Sequence, residues 1–116
     1  MTKKDYRDYV QDMLVSINEV YEFIGSMSFG EFKKDKKTQN AVIRSLEIVG
    51  EAAKNIPATV RDKYPDVPWR KMAGMRDKLI HEYSGVDLQI VWSLIQDELP
   101  VVKPLVLKVK RALNNH

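Results

Sequence analysis

The chain has 116 residues, 44% of them hydrophobic and 30% charged, with no cysteine and a net charge of +3. That suits one folded domain over residues 1–116 and excludes a disordered chain, a disulfide scaffold and a thiolate metal centre. No apolar run approaches the roughly 20 residues of a membrane span, and none follows the basic residues of "MTKKDYRDYV" as in a secretory leader, so a cytoplasmic protein without membrane contact is expected.

The first predicted helix covers residues 5–26. Tyr6, Val10, Met13, Leu14, Ile17, Val20, Tyr21 and Ile24 recur at three- and four-residue spacing, with Asp8, Asp12, Asn18 and Glu22 between them. Gly25 is its expected stop. In "SFGEF", Ser28 and Glu31 have capping-box spacing and predict a short helical turn. The run "KKDKK" then reads as a charged surface connection, open to contact with RNA phosphates but also explained as a solvated loop.

A second long helix is predicted from Lys36 to Asn55, burying Ala41, Val42, Ser45, Leu46, Ile48, Val49, Ala52 and Ala53. Gly50 in its interior costs about 1 kcal/mol against alanine. Beside Ala52 and Ala53 it forms a small-residue surface that lets another helix come close. Pro57 ends this helix, and "PATVRDKYPDVPW" leaves room for one helical turn among its prolines. Pro68 and Trp69 open the next helix, which carries Met72, Ala73, Met75, Arg76, Leu79, Ile80 and Tyr83. "SGVD" ends it, with Gly85 as the left-handed residue and Asp87 as N-cap of the last helix. That helix runs from Leu88 towards Ala112, and Pro100 and Pro104 should kink or split it. No strand pattern or internal repeat is visible. The expected architecture is an all-α, up-and-down bundle of four main helices.

The chemistry concentrates in "GMRDKLIHEYSG", residues 74 to 85. His81 is the one histidine inside the chain, since His116 is the last residue, and no metal-ligand pattern surrounds it. Histidine moves protons near neutral pH, and the carbonyl end of a helix favours its charged form, as Glu82 or Asp77 would if close; Arg76 opposes that shift. Arginine offers a planar fork of donors that matches phosphate oxygens. Together they suit phosphodiester cleavage without a metal or cofactor. A helix-capping histidine and a salt-bridged arginine are the ordinary alternative. On a regular helix Arg76 and His81 stand about 140° apart, too far to converge on one atom unaided. Glu47, Glu51 and Lys78 read as surface or interface charges.

"RDKLIHEY" resembles the R-x4-H-x-Y motif of the HepT-like branch of the HEPN superfamily. "AVIRSLEIVGEAAKNIP", "PWRKMAGMRDKLIHEY" and "LQIVWSLIQDELP" are similar to that family in the same order. The resemblance implies a small helical bundle that dimerises across a cleft shared by the motif residues. It also implies a metal-independent ribonuclease toxin, paired with an MNT-type nucleotidyltransferase antitoxin that in some systems transfers AMP to the motif tyrosine. His81 would then transfer protons, Arg76 hold the scissile phosphate, Asp77 orient one of them, and Tyr83 contact RNA or accept AMP. Two other functions remain open on the sequence: a non-catalytic subunit that holds a nucleotidyltransferase or nucleotide, and a chain that is itself the antitoxin or substrate of a harmful nucleotidyltransferase.

Overall fold

The structure is a computed structural model; it describes residues 5–80 and 87–114, and only the backbone of Arg76 and Ile80. Among the described residues seven α-helices follow in chain order: α1 Tyr6–Ile24, α2 Phe29–Lys34, α3 Lys36–Lys54, α4 Ala58–Lys63, α5 Trp69–Ile80, α6 Leu88–Ser93 and α7 Leu99–Asn114. One π-helical turn, Leu94–Glu98, joins α6 to α7. The described residues contain no strand. The four main helices expected from the sequence are α1, α3, α5 and the α6–α7 rod, and α2 and α4 serve as connectors.

Local chemistry sets the helix ends. Asp5 caps α1: its carboxylate accepts from the Arg7 N–H at 3.0 Å, while Asp8 accepts from the Asp5 N–H at 3.2 Å. The helix therefore starts at Tyr6. It stops at Ile24, two residues before the expected end, because Gly25 turns to φ 53° and donates its N–H to the Tyr21 carbonyl. That backbone angle suits glycine and strains other residues. Ser28 and Glu31 form the expected capping box at 3.0 and 3.2 Å. Asp35 caps α3 through the Thr38 N–H.

The long helix after Asp87 is interrupted ahead of its first proline. The Leu99 N–H donates to the Leu94 carbonyl, five residues back. This wider turn relieves the clash that a proline ring at position 100 makes with the carbonyl four residues earlier. Pro104 lies inside α7 without ending it.

One core cluster joins the elements. α1 packs along α3, α3 along α5, and α7 along α1. Val10, Met13, Ile17, Val20, Phe32, Val42, Leu46, Val49, Met72, Ile95, Leu99 and Val106 are fully or almost fully buried. Within α3 the buried face differs from the predicted one at its edges. Ala41 and Ile48 are only half-buried, whereas Gln39 and Gly50 are buried. Gly50 thus lies in a packed face, in keeping with the small-residue surface expected there. Gln39 can be buried because its amide donates to the Phe32 and Lys33 carbonyls at 2.9 and 3.0 Å, which locks α2 onto α3.

Contacts between helices fix which residues share an end of the bundle. The cleft between α1 and α3 is lined by Asp12, Val15 and Glu19 on one side and by Arg44, Glu47, Ile48 and Glu51 on the other. Residues 63–67, which lead into α5, border Leu105, Lys108 and Val109, while Lys71 reaches back to Glu98 at 2.6 Å. α5 therefore runs opposite to α7. The last turn of α5 thus lies towards α6. α6 is fastened at that same end, where the Trp92 ring packs 5.7 Å from Phe29 and 5.4 Å from Phe32.

Candidate active site

The helix that carries the candidate residues Arg76 and Asp77 is held firmly from its start. Trp69 is buried, and its indole N–H donates to the Tyr64 carbonyl at 2.9 Å. The Met72 N–H donates to the Pro68 carbonyl at 3.0 Å, so Pro68 stands at the entry of the helix as its missing N–H allows. Trp69, Met72, Met75 and Leu79 follow at three- and four-residue spacing and are all buried. That stripe fixes α5 in rotation as well as position, since turning it would expose these side chains to water.

Arg76 lies in the second half of α5, about 100° around the helix from Met75. Asp77 and Lys78 follow and are exposed. The Arg76 side chain lies outside the described residues. So do His81, Glu82, Tyr83 and Gly85, and with them the expected roles of His81 and Tyr83 and the left-handed turn at Gly85. Beyond the gap, Asp87 caps α6 as expected, its carboxylate accepting from the Gln89 N–H at 2.9 Å. The motif segment thus runs between two anchored helices, α5 seated on the core and α6 pinned by Trp92.

The remaining charges near these elements have local roles. Glu47 pairs with Arg44 at 3.6 Å and, with Glu51, lines the open α1–α3 cleft of about 670 Å³. This fits the reading of both as surface charges. Among the described residues, no group of three or more His, Asp or Glu side chains could hold a metal ion. No described helix is long and apolar enough to cross a membrane.

Trp92 meets Phe29 and Phe32 and so fastens α6 to α2, a contact that the helical pattern alone does not predict. Phe29 and Phe32, three apart on one helical face, are the only signal of it in the sequence.

Known proteins match this chain over most of its length. A family model described as Ribonuclease HepT-like matches residues 13–109. A Methanocaldococcus jannaschii protein provisionally named an RNase is 50% identical over 100 residues, covering 86% of this chain and 83% of that one. A protein of Thermococcus cleftensis, provisionally named a ribonuclease HepT, is 45% identical over 109 residues, 94% of this chain and 99% of its own. A third, from Caldanaerobacter subterraneus and provisionally named an RNase, is 43% identical over 106 residues, 91% of this chain and 95% of its own. No solved structure matches significantly.

Proposed function

The chain belongs to the HepT-like family of ribonucleases, and from that premise we propose that it is the cytoplasmic toxin of a toxin–antitoxin pair, cleaving RNA without a metal. The family match across the helix that carries Arg76 and Asp77 is the observation that carries this reading. His81 transfers protons: it removes the proton of a ribose 2′-hydroxyl, or gives one to the leaving 5′-oxygen. The 2′-oxygen attacks phosphorus, the bond to the 5′-oxygen breaks, and a cyclic phosphate and a 5′-hydroxyl result. Arg76 holds the scissile phosphate and offsets charge as it grows on the non-bridging oxygens. Asp77 orients Arg76 or His81 from the same helix.

One histidine cannot be base and acid at the same moment. A homodimer with the two motif segments facing each other supplies the second group, and a two-fold arrangement is the commonest closed one. The partner is an MNT-type nucleotidyltransferase that transfers AMP to Tyr83. The Tyr83 oxygen attacks the α-phosphorus of ATP, pyrophosphate leaves, and the bulky anion left behind occupies the RNA phosphate site.

The deciding experiment is RNA cleavage by the purified protein in the presence of a chelator. Wild type should cut, whereas His81→Ala and Arg76→Ala should each lose most activity. Melting temperature should change little, because truncating a polar side chain near a helix end is not among the changes that destabilise severely. Full activity in either variant overturns the assigned roles. A wild type that binds RNA but never cuts it would point instead to a non-catalytic subunit.

A further inference from the structure

We propose that Lys33, Lys34, Lys36 and Lys37 form an RNA-backbone track that extends the cleavage site along its own end of the bundle; this rests on the ribonuclease reading above. The fold supplies the placement. α5 runs opposite to the α6–α7 rod, so its second half, with Arg76 and Asp77, lies towards α6. Trp92 of α6 packs on Phe29 and Phe32, which brings the α2–α3 connection to that same end. From sequence alone the run had no address; the topology gives it one.

The charges of the run are available to a ligand. All four lysines are exposed, and none forms an ion pair among the described residues. The neighbouring carboxylates are turned towards backbone donors. Glu31 accepts from the Ser28 N–H, and Asp35 from the Thr38 N–H. These bonds hold both acids below their ordinary values, with Lys37 adding a smaller effect on Asp35. Lys33 lies 5.6 Å from the centre of the Phe29 ring, so one ammonium is steadied against an aromatic face. Four ammonium groups within five residues, beside a site for one phosphate, fit the neighbouring phosphates of the same strand. The α1–α3 flank is opposite in character. Asp12, Glu19, Glu47 and Glu51 there outnumber Arg44, so that face repels a polyanion.

The test measures binding of an uncleavable 2′-O-methyl RNA oligonucleotide by the full chain across a salt series. Every phosphate that the protein no longer neutralises lowers the magnitude of the salt slope by ~0.7, so replacing all four lysines with glutamine should lower it by about 2 to 3 and weaken binding about tenfold or more. Replacing all four with arginine should preserve binding. A control removes the same charge at the other end, with Lys54, Lys63, Lys108 and Lys110 changed to glutamine, and should bind close to wild type. Equal loss in both glutamine variants, no loss in the first, or no RNA binding by wild type overturns the track. The two readings separate cleanly. If wild type cuts RNA and the lysines prove indifferent, the track alone fails; if wild type binds through the lysines but never cuts, the ribonuclease reading alone fails.

Discussion

At the scale of single residues, the proposed chemistry rests on a helix whose orientation is set by quite different side chains. Asp77 is exposed, yet the face that bears it and Arg76 is aimed by Trp69, Met72, Met75 and Leu79 on the buried side. Such a division lets the proposed site residues change at small cost in stability, while truncating Met72 should cost about 2–5 kcal/mol. Tyr83 carries the regulatory prediction. Incubated with its cognate nucleotidyltransferase and ATP, the protein should gain the mass of one AMP on the tryptic peptide that contains Tyr83. Modification of a Tyr83→Phe protein to the same extent would rule this acceptor out.

At the scale of elements, the α2–α3 junction is held by caps as much as by apolar contact. Ser28→Ala removes the acceptor for the Glu31 N–H and should lower stability by about 1 kcal/mol. The junction is also sensitive to acid. Glu31, ordinarily near 4.5, and Asp35, ordinarily near 3.8, are both held lower by backbone hydrogen bonds, from Ser28 and Thr38 respectively. A depressed carboxylate stabilises the folded state above its unfolded value and loses that contribution as pH falls through its folded one. Amide exchange at residues 28–38 should therefore accelerate as pH drops below 4.5, after correction for intrinsic exchange rates. In Glu31→Ala the acceleration should be smaller; an identical acid response would show that the cap carries none of it. These devices are legible in the sequence, because caps depend on residues three positions apart. The π-helical turn is less so. Pro100 announces a disruption, but which turn widens depends on how Leu94 and Leu99 seat in the core.

At the scale of the whole molecule, the proposed cleavage calls for a second copy. Light scattering at working concentrations should give the mass of a dimer, and a mixture of His81→Ala and Arg76→Ala chains should recover part of the activity that each lacks alone if a cleft draws on both copies. A monomer with undiminished, protein-linear activity would overturn the shared cleft. The same scale explains the distribution of charge. A net +3 says little about partners, but folding separates an acidic flank between α1 and α3 from a lysine-bearing end.

The amino-acid sequence by itself determined the helices, most of their ends and the order in which they occur. Those properties follow from periodicity, proline and capping side chains within a few residues of one another. It also carried the motif, since Arg76, His81 and Tyr83 are close in sequence whatever the fold does. The tertiary structure decided which faces meet. Gln39 is buried only because α2 offers it two carbonyls, and Trp92 meets Phe29 and Phe32 from some sixty residues away. Periodicity shows that a face is apolar but not what will cover it; that choice belongs to the packing of the whole chain, which also brings the lysines of the α2–α3 connection to the motif's end of the bundle.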